Sequence, residues 1–169
     1  MSTPITSIQQ SWQDNAKEWI YLIREEKIAS RQVTNPAIVQ TLLDYQLSSL
    51  IDIGCGEGWL TRTMYQNGVA ATGVDGTAAL IEHARANSSI PFHRLTYEAI
   101  CSGAALPIRS CEAAVFNFCL YQERETASLL KAVHRQLNGK KLLFIQTIHP
   151  KAFMDSGMPY QSQWMEDSW

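Results

Sequence analysis

Basic residues are not in excess in this chain: 14 Lys and Arg stand against 16 Asp and Glu, a formal net charge of −2. A broad nucleic-acid footprint or an anionic-membrane surface needs the opposite balance, so neither is expected. Cysteine is scarce and scattered. Cys55, Cys101, Cys111 and Cys119 form no C-x-x-C pair and share no zinc spacing with histidine. That points to reduced thiols in a cytoplasmic protein, not to a disulfide framework or a metal centre. Met1-Ser2-Thr3-Pro4 has no basic stretch followed by an apolar one, and no apolar run approaches bilayer-spanning length. Internal repeats and low-complexity tracts are absent too.

What is present is an ordinary globular composition, 46% hydrophobic and 18% charged over 169 residues, enough for one domain with its own core. Residues 5 to 29 have helical periodicity, with Ile8, Trp12, Ala16, Trp19 and Ile23 on one face. A second helix is expected near Asn35, with Pro36 at its first position. Residues 1–47 thus form a helical cap. From Ser49 strands alternate with helices: strands at 50–53, 69–74, 92–97, 113–120 and 141–147, helices at 57–66, 77–86 and 123–137. This order implies an α/β fold, a mostly parallel Rossmann-like sheet covered by helices over residues 48–150. Residues 151–169 are an aromatic tail without clear period, from Phe153 to Trp169.

Ligands of open parallel sheets bind beyond the carboxyl ends of the strands. The first strand-to-helix turn there reads Asp52-Ile53-Gly54-Cys55-Gly56-Glu57-Gly58. Glycines permit a tight turn and close approach of a ligand to backbone, and the following helix offers unpaired N–H groups. Asp75, at the end of the second strand and 23 residues after Asp52, is placed to accept hydrogen bonds from a ribose diol. Loop and acid together indicate a nucleoside ligand. The dinucleotide fingerprint G-x-G-x-x-G fails here: the sixth place is Trp59 counting from Gly54 and Thr61 counting from Gly56.

The loop instead resembles the first motif of the class I S-adenosylmethionine (SAM)-dependent methyltransferase family. Val74-Asp75-Gly76 resembles that family's ribose-binding acid and its turn. Tyr97-Glu98-Ala99 resembles its third-strand Gly-Asp-Ala, whose acid contacts the adenine amino group. Leu106-Pro107 and Cys111 to Tyr121 resemble the approach to the fourth strand, the strand itself and the turn after it. Leu137-Asn138-Gly139-Lys140 resembles the turn before the fifth. The likeness covers roughly residues 48 to 150. It implies a sheet order of 3-2-1-4-5 and SAM as cofactor. The implied cofactor residues are Asp52, Gly54, Cys55, Gly56, Gly58, Asp75, Gly76, Glu98, Asn117 and Phe118, with Asn117 to Leu120 walling the pocket. The chain departs from the pattern in having one glycine at Gly139, Glu112 in place of the fourth-strand aspartate, and no sign of the last two of the usual seven strands.

The reaction expected is methyl transfer from SAM to a small-molecule acceptor; the alternatives are a catalytically silent SAM-binding module acting through a partner, and a nicotinamide or flavin dehydrogenase. His149 is the candidate base just beyond the fifth strand. Arg31 defaults to a solvated charge, with the cofactor carboxylate as its other reading. Trp12 and Trp19 read as packing residues of an amphipathic helix. Cys55 reads as a small filler, and His83, His93 and His134 have no link to the loop. A fifth strand at the sheet edge, with Leu142 to Ile145 uncharged, invites cover by the aromatic tail or by a second copy in a homodimer.

Overall fold

The computed structural model describes residues 5–121 and 123–149. The chain opens with α1 (Ile5–Arg24) and α2 (Arg31–Asp44). The core then alternates β1 (Ser49–Ile53), α3 (Trp59–Gln66), β2 (Ala70–Asp75), α4 (Ala78–Ala86), β3 (Phe92–Arg94), α5 (Tyr97–Cys101), β4 (Ala113–Asn117), α6 (Glu123–Gln136) and β5 (Leu142–Gln146). The five strands pair in parallel in the order β3-β2-β1-β4-β5, the order that the family resemblance implies. The central strands β1 and β4 are apolar almost throughout because helices cover both faces.

One face packs Leu50, Val115 and Phe144 against Leu42 of α2 and Leu60 and Met64 of α3. The other packs Ile51, Ile53 and Phe116 against Ile100 of α5 and Leu129 and Val133 of α6. Each of these side chains contributes on the order of 1.5–3 kcal/mol on leaving water. Alternation along a strand then decides where the polar residues go. Asp52 lies two residues after Leu50, Asn117 two after Val115 and Gln146 two after Phe144, and Asn117 is the register partner of Gln146. The α2/α3 face therefore ends, at the carboxyl edge of the sheet, in polar side chains.

Several element bounds differ from the sequence reading. α1 stops at Arg24, and Glu26 takes a left-handed φ of 52°. α2 starts at Arg31, five residues before Pro36, which lies inside the helix. A preceding turn, with Arg31 N–H on the Ile28 carbonyl at 3.0 Å and Thr34 N–H on Ser30 at 3.0 Å, nucleates it ahead of the proline. Pro36 removes one donor near the start and the helix continues through it. The third strand ends at Arg94, because Thr96 caps α5 by accepting the Ala99 N–H at 3.2 Å. The fourth strand ends at Asn117, because Phe118 turns into left-handed backbone at φ 51°. Thr77 precedes α4 as expected, but its side chain makes no cap bond. β5 is an edge of the described sheet, and Ile145 on it is 47% exposed. The aromatic tail at 151–169, and with it the proposed cover of this edge, lies outside the described residues. Among the described residues no helix is long and apolar enough to cross a membrane.

Candidate functional site

The site begins with the turn that leaves β1. Gly54, Gly56 and Gly58 all take left-handed φ, at 74°, 57° and 88°. The Gly54 and Cys55 N–H groups both donate to the Val74 carbonyl, at 2.8 and 3.0 Å, which ties the loop to β2. The surroundings of the three glycines differ. A Cβ on Gly58 would sit 2.5 Å from Phe92, and one on Gly54 2.5 Å from the Tyr97 hydroxyl. A Cβ on Gly56 would meet only the Trp19 Nε1 at 3.5 Å. Gly54 and Gly58 are thus required by protein packing, and Gly56 is the glycine that presents open backbone. Cys55 is buried against Ile81, Ala84, Ile90 and Phe92, a filler as expected; burial raises its thiol well above the usual range.

Asp75 ends β2 with both carboxylate oxygens engaged. Oδ2 accepts the Gly56 N–H at 3.0 Å and Oδ1 accepts the Thr77 N–H at 2.8 Å. Burial raises its pKa, and the two backbone donors oppose the rise. Each oxygen keeps a further lone pair for a ligand hydroxyl. Asp52 lies deeper, 1% exposed. Its Oδ2 accepts the Thr61 hydroxyl at 2.7 Å, and Oδ1 has no partner among the described residues. Burial, against the Thr61 bond and with the charges of Asp75 and Glu57 adding, pushes this carboxyl up to about 7. A buried carboxyl with an empty acceptor is costly unless a donor or cation reaches it.

Loop and acid line one cavity of about 380 Å³ at the carboxyl edge of the sheet, within the size range of small-molecule sites. Its floor follows the strand order: Tyr97 and Glu98 beyond β3, Asp75 and Gly76 at β2, Asp52 and Gly54 to Glu57 at β1, Asn117 to Tyr121 at β4, and Ile148 beyond β5. Its roof is α1, through Ile8, Gln9, Trp12 and Trp19. The two tryptophans, expected as packing residues of an amphipathic helix, do pack on each other, but they line the cavity and are not part of the buried core. They are half-buried, 5.3 Å apart edge to face, with Trp19 over Gly56. Gln9 donates to Glu98 at 2.9 Å, fastening α1 to the first turn of α5.

Arg31 is likewise not a solvated charge. As the first residue of α2 it lines the cavity, with its guanidinium 4.7 Å over the Trp59 ring. Burial lowers its pKa, and the nearby Glu57 carboxylate opposes that. Glu57, 3% exposed, is held by an ion pair with Arg62 and accepts the Trp59 N–H at 3.1 Å. Sequence reasoning missed Glu57, Arg62 and Thr61. The one signal for the pair was a loop acid five residues before an arginine in the next helix. Asn117 lines the cavity with an Oδ1 that has no partner among the described residues, and the Phe118 N–H donates to the Gln146 carbonyl at 2.8 Å. Cys119 donates to the Ile53 carbonyl at 3.0 Å, and burial pushes its thiol up to about 12, too high for a nucleophile. His149 is exposed and follows cavity-lining Ile148. His83, His93 and His134 do not line the cavity. Among the described residues no group of three potential ligands could hold a metal.

Comparison with known proteins agrees with this geometry. Residues 13–168 match the model of a methyltransferase domain family. A curated demethylmenaquinone methyltransferase of Tropheryma whipplei (strain Twist) is 29% identical over 106 residues, 62% of this chain and 44% of that protein. The match therefore covers less than half of that relative's length. The crystal structure of a SAM-dependent methyltransferase from Mesorhizobium loti is 27% identical, with a TM-score of 0.52 over 62% of this chain and 48% of that one. A structure described as a DhpI-SAM-HEP complex is 16% identical, with a TM-score of 0.67 over 95% of this chain and 76% of that one, a likeness of fold. With the family model matched over most of its length, and with the motif geometry in place, the chain belongs to the class I SAM-dependent methyltransferase family.

Proposed function

We propose that the cavity binds SAM and that this chain transfers its methyl group to a small-molecule acceptor. The observation that carries the reading is the Asp75 carboxylate, held by the Gly56 and Thr77 N–H groups beside the open face of the glycine turn. Asp75 accepts the ribose hydroxyls. Glu98, in the first turn of α5, receives the adenine amino group, sharing its carboxylate with Gln9. Gly56 and Gly76 give room for the nucleoside against backbone. The partnerless Asp52 Oδ1 faces the cationic methionine end, and Arg31 receives its carboxylate. Asn117 and Phe118 wall the sulfur side.

SAM supplies an activated methyl: an acceptor lone pair bonds to the methyl carbon while the carbon–sulfur pair returns to sulfur, leaving a thioether. The chain's own part is alignment and exclusion of water, a proximity effect. A base is needed only when the acceptor carries a proton to be lost; His149 then fills that role, and otherwise the proton goes to water. The partially matched demethylmenaquinone methyltransferase supports a small acceptor. Nothing in the site favours a silent module, and the broken dinucleotide fingerprint counts against a dehydrogenase. The exposed Ile145 on edge strand β5 supports pairing with a second copy, which Ile145→Lys would weaken in size-exclusion chromatography.

Calorimetric titration with SAM, S-adenosylhomocysteine and NAD tests the cofactor. Binding of the first two without NAD is expected; NAD binding alone would sink the reading.

A further inference from the structure

The cavity is chemically divided. Its charged side chains sit on the glycine turn, at the end of β2, and in the first turns of α2, α5 and α6: Asp52, Glu57, Asp75, Arg31, Glu98 and Glu125. The segments leaving β4 and β5 contribute Phe118, Leu120, Tyr121 and Ile148 instead, and α1 faces them with Ile8 and Trp12. None of these six carries a charge. Two are aromatic rings in mutual contact across the cavity, Trp12 and Tyr121, with centroids 6.1 Å apart and planes 34° from parallel. The Tyr121 hydroxyl donates to the Phe118 carbonyl, which fixes the orientation of the ring. Trp12 is fixed by its edge-to-face contact with Trp19. The rings are thus set in place before any ligand arrives.

Four of these charged groups, Asp75, Glu98, Asp52 and Arg31, take the polar functions of SAM in the reading above, Glu57 pairs with Arg62, and Glu125 is left over. The acceptor then has the remaining wall. An anionic acceptor would lose its hydration there with no cation to replace it, and a cationic one would find the Glu125 carboxylate alone. A saturated apolar one would gain burial but no ring geometry. A flat ring gains both, because aromatic pairs in offset or tilted contact hold better than their area alone provides. We propose that the methyl acceptor is a planar aromatic small molecule, seated on the wall of Trp12, Leu120, Tyr121 and Ile148 with its reacting atom turned towards the glycine turn. This rests on the assignment of the charged part to SAM.

The test measures binding to the wild-type chain saturated with S-adenosylhomocysteine. The probe pairs are 1-naphthol against decahydro-1-naphthol, both neutral, and aniline against cyclohexylamine, which near neutral pH sets a neutral aromatic ring against a cation. The aromatic member of each pair is expected to bind roughly tenfold or more tightly. Tyr121→Leu and Trp12→Leu should each weaken the aromatic probes by about tenfold, and Tyr121→Leu should leave the affinity for S-adenosylhomocysteine unchanged. Because Tyr121 is 45% exposed, its loss does not open a core, and the retained cofactor affinity reports an intact fold. Equal binding within each pair, preference for cyclohexylamine, or aromatic binding untouched by both variants overturns the proposal. So does cofactor binding with no binding of either aromatic probe. A wild-type chain that binds neither SAM nor S-adenosylhomocysteine is a different result: it overturns the cofactor reading, and this proposal with it.

Discussion

The backbone N–H of Gly56 donates to the Oδ2 of Asp75 at 3.0 Å, so the acid proposed to hold the ribose also holds the glycine turn. Binding and loop geometry are thereby coupled through one carboxylate. Asp75→Ala removes the acceptor for two ribose hydroxyls and releases both Gly56 and Thr77. Charge-assisted bonds of this kind contribute about 1.5–3 kcal/mol each, so SAM affinity should fall roughly tenfold to a hundredfold or more. Asp75→Asn keeps one acceptor oxygen and should fall between wild type and Asp75→Ala. Calorimetry on folded variants measures this, and unchanged affinity in Asp75→Ala would contradict the ribose assignment.

Gly56 and Gly58 separate ligand contact from packing. Both have left-handed backbone, so an alanine at either costs about 1–2 kcal/mol from conformation alone. At Gly58 the added Cβ also collides with Phe92, which is buried beside Cys55. Gly58→Ala should therefore lower the melting temperature clearly more than Gly56→Ala. At Gly56 the new methyl points into the cavity, towards Trp19, and should weaken SAM binding with a smaller thermal cost. Equal melting temperatures for the two variants would mean that Phe92 moves aside.

Much of this was legible in the sequence, for identifiable reasons. The alternation of strands and helices follows from local apolar runs, and the strand order came from the family resemblance, which the sheet matches. Asp75 could be placed at the end of the second strand because that position depends on the local pattern alone. Arg31 and the two tryptophans were not legible. An amphipathic stripe reports which side of α1 is covered, and it does not say whether the cover is core or cavity. Here the stripe of Ile8, Trp12, Ala16 and Trp19 is split: Ala16 is buried, while the others form a roof. Pro36 misled the placement of α2 because its N1 preference competes with a turn formed five residues earlier. The Thr61 bond to Asp52 spans nine residues between a strand and a helix, and no periodicity encodes it.

Arg31 offers a test of the cofactor's orientation. Its guanidinium carbon lies 4.7 Å from the centre of the Trp59 ring, and the guanidinium donors are proposed to take a carboxylate. Arg31→Met keeps an apolar stem on the ring and removes the charge. The affinity for S-adenosylhomocysteine should fall on the order of tenfold, as for one lost charge-assisted bond. Methylthioadenosine, which lacks the amino-acid end, should bind both proteins alike. A parallel loss for both ligands would place Arg31 on the adenosine side or show a structural role.

Asp52 makes the pH dependence specific. Its carboxyl is pushed up to about 7 by burial, against about 3.9 for an ordinary aspartate. The unfolded chain therefore gives up this proton near pH 4, while the folded chain keeps it to near 7. Asp52 then contributes stability that is fully present below about pH 4 and is lost as pH rises towards and through about 7. Asp52→Asn cannot titrate and lacks this dependence. Asp75, Glu57, Arg31 and Arg62 stand around it in both proteins, so their titration largely cancels in the difference. Thermal melts across pH 4 to 8 should show wild type losing ground to Asp52→Asn as pH rises, then a constant difference above about pH 8. A ligand that brings positive charge to Oδ1 favours the ionised form and pulls the proton off. SAM affinity should accordingly rise as pH increases from about 6 to about 7.5, the window in which Asp52 ionises. The uncharged methylthioadenosine should not share that rise. A stability difference that stays flat from pH 4 to 8 would mean that Asp52 is ionised throughout, with a donor on Oδ1 that the fold supplies without a ligand.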